Sequence, residues 1–338
     1  MSETIAKPTE QLMQIMAGQW LARCVSTAAE LGIADAIGGE RKTTEQLAAA
    51  TKTHAPSLQR LMRALAGSGV FREDGPGVWV GTPLGDTLRT NRPGSLHACA
   101  VAIMGAEHYD AWRNLSHSVK TGVTAFDHTF GKDVWAHFAE NPTSARNFDQ
   151  AMVDFSEGVN AALLKAYNFS GIKHLVDVGG GHGGLIAAVL KNYPTIQGTL
   201  FDQPYVVNAA IKNLQKHGVE TRCARAGGDF FDSVPAGADA YILKFIIHDW
   251  DDERSIKILS NVRRAIAEKG KLLLVESVIP EGNGPDMGKL MDVNMLVMTG
   301  GRERTQAQFA ALFTASGFKL TRVTPTESPL SIIEAIPA

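Results

Sequence analysis

Leu175-Val176-Asp177-Val178-Gly179-Gly180-Gly181-His182-Gly183-Gly184 is the stretch on which the reading of this chain turns. A mostly apolar run of strand length ends in clustered glycines, and a helix-like apolar segment starts near Leu185. Gly179, Gly181 and Gly184 satisfy the spacing GxGxxG. A glycine turn between a strand and a helix lets a ligand approach the backbone closely, beside the amides of the helix N-terminus.

Outward from this turn, the C-terminal half alternates between strand and helix patterns. Strands are expected at His174 to Val178, Ile196 to Phe201, Glu220 to Ala224, Ala240 to Ile247, Lys271 to Ser277, Phe318 to Val323 and Ser331 to Ala335. Alternation of this kind predicts an α/β fold with a parallel sheet covered on both faces. Ligands then sit beyond the C-terminal ends of the strands. The second strand ends in Asp202-Gln203, about 20 residues beyond the glycines, where a carboxylate can accept from both hydroxyls of a ribose.

The N-terminal half reads differently. Gln11 to Ile37 is one long apolar helix or two abutting ones, with a stripe broad enough to be shared with a partner chain or buried at home. Thr43-Thr44-Glu45-Gln46 offers a helix cap, Pro56-Ser57 opens a further helix, and Gly67 and Gly69 end it. Val70-Phe71 and Val78-Trp79-Val80 flank the turn Asp74-Gly75-Pro76-Gly77 as a hairpin. The outline is a winged helix. Arg60 and Arg63 lack a dense basic stripe around them, which argues against DNA. From Gly94 to about Phe169 the chain reads as largely helical and aromatic-rich, and its histidines show no metal-site spacing.

The 338 residues suit two domains, with 44% apolar content to fill them. A formal net charge of -2 asks for neither nucleic acid nor an anionic membrane. Cys24, Cys99 and Cys223 are few and far apart, which favours reduced thiols. MSETIAKPTE has no basic-then-apolar leader, and no apolar stretch reaches about 18 residues. A cytoplasmic protein is expected.

The glycine turn alone suits either a pyrophosphate or the amino-acid end of S-adenosylmethionine. Three features separate them. Asp177 lies within the strand, where a carboxylate repels a phosphate and suits a ligand carrying an ammonium. Gly228-Asp229-Phe230-Phe231 follows the third strand, so Asp229 can take an adenine amino group and Phe230 can pack on the base. The fourth strand closes with His248-Asp249-Trp250, a titratable group at the ligand-facing edge. All three favour S-adenosylmethionine.

The pieces VDVGGGHGG, FDQP, GGDFF, KFIIHDWDDE, LLLVESVIP, DVNMLVMTGGRERT and FTASGFK, in this order, resemble the plant-type small-molecule O-methyltransferases. Caffeate, hydroxyindole and bacterial polyketide O-methyltransferases belong to that family. The likeness covers nearly the whole chain. It implies a class I methyltransferase Rossmann-like sheet behind an N-terminal, all-helical winged-helix dimerisation domain, and a homodimer with interlocked N-terminal helices. The corresponding division is a dimerisation domain at 1–95, a helical linker and substrate-pocket region at 96–170, and an S-adenosylmethionine-binding catalytic domain at 171–338.

Methyl transfer needs the acceptor proton removed. His248 is the expected general base, since an ordinary imidazole with a pKa near 6.5 is mostly neutral at cellular pH. By resemblance, Glu276 and Glu303 orient it, and no metal is required. Asp177, Gly179, Gly181, Asp202, Gln203, Asp229 and Phe230 are expected around the cofactor, with Lys244 and, by resemblance, Ser156 beside them. Resemblance also assigns Met152, Phe155, Met295 and Met298 to the acceptor pocket, and Asp249 can touch the acceptor. A methionine stripe is otherwise ordinary core packing. Asp251 and Asp252 read as cap and first-turn residues of the next helix. The expected acceptor is a small aromatic hydroxyl compound. Competing readings are a relative with non-methylating chemistry, against which His248, Glu276 and Glu303 argue, and a ligand-sensing winged-helix regulator.

Overall fold

A computed structural model of the chain describes residues 7–90 and 92–338. The part of the leader reading that rests on residues 1–6 lies outside the described residues. The chain divides into two compact units: residues up to Tyr109 with Phe138–Phe155, and Asp110–His137 with Ser156–Ala338. The segment 96–170 is therefore shared out between them. Among the described residues, no helix is long and apolar enough to cross a membrane.

In the first unit, α1 (Pro8–Glu30) is followed directly by α2 (Ile33–Ile37). Gly32 between them has φ +66°, a left-handed conformation that breaks the helix and that glycine adopts without strain. A capping box joining Thr43 and Gln46 opens α3 (Thr44–Thr51), as its sequence requires, and α4 spans Ala55–Gly67. The wing is larger than a hairpin. Strand β1 (Lys42–Thr43) pairs with β3 (Val78–Gly81), which also pairs with β2 (Phe71–Glu73), so the unit is not all-helical. Ile33, Ile37, Leu47, Met62, Leu65, Phe71 and Trp79 form its core. Each such side chain contributes about 1.5–3 kcal/mol by leaving water. The Trp79 indole N–H donates to Thr44 Oγ1 at 2.9 Å, so its polar atom costs nothing.

The apolar stripe of α1 divides along its length. Ala28 and Ala29 are buried in this core, whereas Leu12, Met13, Ile15, Met16, Trp20 and Leu21 stand 38–75% exposed in the single chain.

The second unit is built on a seven-stranded sheet. Its strands are β4 (His174–Val178), β5 (Gln197–Asp202), β6 (Cys223–Gly227), β7 (Ala240–Lys244), β8 (Lys271–Glu276), β9 (Phe318–Pro325) and β10 (Ser331–Pro337), in the order β6-β5-β4-β7-β8-β10-β9. The first five are parallel, but β10 inserts antiparallel between β8 and β9. The uniformly parallel expectation fails there for a simple reason: residues 326–330 are too few for a parallel crossover, so β9 and β10 form a hairpin. Most strand bounds shift by one or two residues, and two strands shift by three. Glu220–Arg222 is a 3-10 turn ahead of β6, and β7 stops at Lys244 because Phe245 takes φ +56°. Strand order reverses at β4, which places the ends of β4 and β7 on either side of a crevice.

Candidate active site

The glycines after β4 do two different jobs. A Cβ on Gly179 would lie 2.3 Å from Ile246 Cδ1, and one on Gly180 would lie 2.4 Å from Leu200 and 2.7 Å from the Asp177 carboxyl. These positions are glycine because the turn packs tightly. Around a Cβ on Gly181 there is nothing within 4 Å, and its φ is +57°. That position faces open space.

Asp202 closes the turn from the second strand. Its Oδ2 accepts the Gly181 N–H at 2.8 Å and its Oδ1 accepts the Gln203 N–H at 2.7 Å. Both oxygens are thus anchored by backbone amides. Asp177 is almost fully buried beneath Gly180, and its Oδ2 has no hydrogen-bond partner. Burial pushes this carboxyl up to about 7 against the pull of the nearby Lys244 ammonium. Burial likewise lowers Lys244, to about 8, with Asp177 and Glu276 opposing. The Lys244 ammonium donates to Ser156 Oγ. An orphaned anionic oxygen and a buried lysine under the turn suit a zwitterionic amino acid better than a pyrophosphate.

Asp229 caps its own loop, accepting the Phe231 N–H at 2.8 Å. Phe230 packs near Gly179 and edge-on to Phe231 and Trp250, with ring centroids 5.0 and 6.1 Å away. Trp250, which sequence reasoning did not assign to the site, completes this aromatic wall with Phe231 at 4.8 Å.

His248 sits on the 3-10 turn Ile247–Asp249 beyond β7. Its Nδ1 hydrogen-bonds Glu303 Oε1 at 2.8 Å, while Glu276 Oε2 lies 3.9 Å away. The two glutamates divide the labour. Glu276 is completely buried at the end of β8, and its Oε1 accepts the Ile246 and Ile247 amides at 3.0 and 2.9 Å. Its first task is to hold the turn. Glu303 carries the imidazole, and it is buried rather than solvated in a polar loop. Nε2 makes no hydrogen bond among the described residues and lies 3.8 Å from Asp249 Oδ1.

These surroundings move His248 away from an ordinary imidazole. Desolvation lowers the His248 pKa, but Glu276, Asp249 and Glu303 together outweigh it and raise it to about 10. Burial raises Asp249 to about 6, and Glu276 rises above the usual carboxylate range for the same reason. His248, Glu276 and Glu303 each offer one ligand atom within 4.8 Å of the others, so the donors for a cation exist. Among the described residues no other such group occurs.

A clamp that the sequence did not advertise holds the turn. Arg304 is 1% exposed. It donates to the carbonyls of Ile247 at 3.1 Å and Trp250 at 3.0 Å, and to Asp252 Oδ1 at 2.8 Å. Arg302 N–H donates to the His248 carbonyl at 2.9 Å. A Cβ on Gly301 would lie 2.0 Å from that carbonyl, so only glycine lets the strap lie this close. Asp251 is the N-cap it was expected to be, accepting from Arg254 N–H at 2.8 Å, but Asp252 also anchors Arg304.

Met295 and Met298 are buried on the helix Met287–Met298, which packs against the helices Leu115–Thr121 and Ala125–Phe130. Met152 and Phe155 belong to the first unit, where they pack on Ala98, Cys99 and Ala151.

Residues 112–319 match the family model of an O-methyltransferase domain, and residues 13–91 that of an O-methyltransferase dimerisation domain. The chain is 47% identical over 326 residues to a phenazine O-methyltransferase of Lysobacter antibioticus, covering 96% of this chain and 95% of the relative. The crystal structure of LaPhzM superposes with a TM-score of 0.93 at 46% identity, covering 98% of this chain and 100% of that one. The structure of CalO1, a methyltransferase in calicheamicin biosynthesis in its S-adenosylhomocysteine-bound form, does so with a TM-score of 0.87 at 33% identity, with both chains fully covered. With its glycine turn, its buried Asp177 and its two matched domains, the chain belongs to the S-adenosylmethionine-dependent O-methyltransferases of the plant type.

Proposed function

We propose that this enzyme methylates a hydroxyl of a small aromatic acceptor in secondary metabolism, with His248 as general base. The observation that carries this reading is the buried His248–Glu303 pair at 2.8 Å, with Nε2 making no hydrogen bond among the described residues. When bound, S-adenosylmethionine supplies an electrophilic methyl group on a sulfonium. In our reading Asp202 and Gln203 hold its ribose, Asp229 and Phe230 its adenine, and Gly179, Gly181, Asp177, Lys244 and Ser156 its amino-acid end.

His248 takes the acceptor's hydroxyl proton on Nε2, and Glu303 holds the Nδ1 proton and stabilises the imidazolium so formed. A base raised to about 10 is matched to a phenol, whose pKa is also about 10, so the transfer is close to thermoneutral. The cost is that the base must first shed its own proton, so turnover should rise on the alkaline side. Met295, Met298 and Asp249 are the proposed acceptor contacts on the second unit. Acceptors of the kind named for the relatives, phenazines among them, are the first to try. The chemistry is proposed to run without a metal.

A homodimer through the exposed apolar half of α1 is supported by the dimerisation-domain match over residues 13–91. Three free cysteines support a reducing compartment, so the cytoplasm is the proposed location. The functional division into 1–95, 96–170 and 171–338 is retained as a proposal. The deciding experiment replaces His248 by Ala. Methylation of a phenolic acceptor should fall by at least about 100-fold while S-adenosylmethionine affinity, read by calorimetry, stays within about threefold. Undiminished turnover refutes the assignment.

A further inference from the structure

Glu303 makes two hydrogen bonds of different kinds. Its carboxylate reaches His248 Nδ1 at 2.8 Å, and its own N–H donates to Asp292 Oδ1 at 3.0 Å. An ionised carboxylate only accepts, so Nδ1 carries the proton of the first bond and Nε2 is the nitrogen that can take one. This holds only while the Glu303 backbone stays in place. A shift of about 1 Å would stretch the 2.8 Å contact beyond hydrogen-bonding range. The strap around Glu303 is pinned on both sides. Gly301 N–H donates to Thr299 Oγ1 at 3.2 Å, Arg302 N–H to the His248 carbonyl at 2.9 Å, and the Arg304 carbonyl accepts the Ile279 N–H at 3.0 Å. Between these points, Asp292 holds the amide of Glu303 itself. A carboxylate in mid-helix ordinarily faces water, whereas this one is half-buried and gives an oxygen to a strap 11 residues on. Asp292 stands on a fixed support. Gly288, one turn earlier on the helix Met287–Met298, lies so close to the end of β8 that a Cβ there would be 2.3 Å from Ser277 Oγ. Positions four apart share a helix face, so the side carrying Asp292 is the side pressed against β8.

We infer that Asp292 is a positioning residue for the base: by accepting the Glu303 N–H it sets the backbone from which the Glu303 carboxylate reaches His248. The inference rests on the proposed role of His248 and deepens it. Asp292 acts through Glu303, two hydrogen bonds away from the imidazole, and its role requires contact with neither cofactor nor acceptor. The same helix carries Met295 and Met298, so the proposed acceptor contacts and the support of the base belong to one element. The orientation of the base is then set by the helix on which the acceptor rests, and loss of Asp292 falls on kcat rather than on cofactor binding.

The test follows the full-length enzyme, with isotopically labelled histidine, through three readouts: the downfield proton resonance of the His248 Nδ1–H, kcat with a phenolic acceptor, and S-adenosylmethionine affinity by calorimetry. Asp292→Ala should lose that resonance and lower kcat by about 10- to 100-fold, with affinity within about threefold of the wild type. Asp292→Asn keeps an acceptor oxygen and should retain the resonance and at least about a third of kcat. In a Glu303→Gln background Asp292→Ala should cost less than about threefold further, because it acts through a carboxylate that is already gone. Asp292→Glu, whose oxygens sit one methylene further out, should also weaken both the resonance and kcat, and it serves where Asp292→Ala does not fold. A resonance and a kcat that survive in folded Asp292→Ala or Asp292→Glu, or the same fold-loss with and without Glu303, overturn the inference. Loss of the resonance in Asp292→Ala, with kcat unchanged there and in His248→Ala, keeps Asp292 as the support of Glu303 and overturns the base assignment instead.

Discussion

Glu303→Gln removes the one carboxylate that hydrogen-bonds the His248 ring. The rise of the imidazole from 6.5 to about 10 corresponds to about 5 kcal/mol of preference for the protonated ring. That figure is net of the desolvation that opposes it, so the gross attraction of Glu276, Asp249 and Glu303 is larger. Glu303 alone is within hydrogen-bonding distance, at 2.8 Å against 3.9 Å for Glu276 and 3.8 Å for Asp249. Neutralising it should return about 1–3 pH units, the range seen when one adjacent opposite charge is removed. Two measurements read this: titration of the His248 ring nitrogens by NMR, and the pH dependence of kcat/KM with a phenolic acceptor. In the wild type both should place the transition well above pH 7; in the variant both should move towards neutrality while the plateau rate falls, since the imidazolium loses its partner. Stability must follow with the matching sign. A raised pKa adds stability that is fully present below about 6.5 and drains away as pH climbs through about 10. The thermal midpoint of the wild type should therefore decline more steeply than that of Glu303→Gln across this window. A His248 transition near 6.5 in the wild type, or one that Glu303→Gln leaves in place, refutes the reasoning.

Arg304→Met should cut kcat and lower the melting temperature, because the carbonyls of Ile247 and Trp250 lose their charged donor; Arg304→Lys should restore less than half of the lost kcat, having no fork to span both. Unaltered turnover in Arg304→Met would remove the clamp from the mechanism. Gly180→Ala places a Cβ 2.4 Å from Leu200 and should cost several kcal/mol in chemical denaturation, whereas Gly181→Ala meets only the backbone strain of about 1–2 kcal/mol and should chiefly weaken S-adenosylmethionine in calorimetry. Equal effects of the two on folding would contradict the division of roles. Extensive dialysis against a chelator should leave methylation unchanged; loss of activity restored by a divalent cation would reassign His248, Glu276 and Glu303 as ligands. Light scattering should return a dimer at micromolar concentration, and Ile15→Asp with Trp20→Ser should give monomers; a monomeric wild type would leave the exposed face of α1 unexplained.

Much of this molecule is written in short stretches of sequence. The strand, glycine turn and helix around Val178, the Thr43–Gln46 capping box, the wing hairpin and the Asp251 cap each depend on residues within a few positions of one another. Apolar runs, caps and glycines carry that information directly. The end of β7 was not legible in the same way, since Phe245, Ile246 and Ile247 continue an apolar run and only the left-handed φ of Phe245 turns the chain out of the sheet. His248 was visible as a titratable group at the right edge, and Glu276 and Glu303 were visible as carboxylates.

Sequence by itself determined the order of the elements, the place of the ligand turn and the residue types offered to the chemistry. Tertiary structure alone decided that Glu303 takes the imidazole while Glu276 takes two amides, that Arg304 is buried as a clamp, and that Asp292 holds the Glu303 amide. The physical reason is that backbone geometry responds to neighbours in the chain, whereas a proton's affinity and a carboxylate's choice of partner respond to charges and donors a few ångströms away in space, and folding sets those distances without regard to sequence separation.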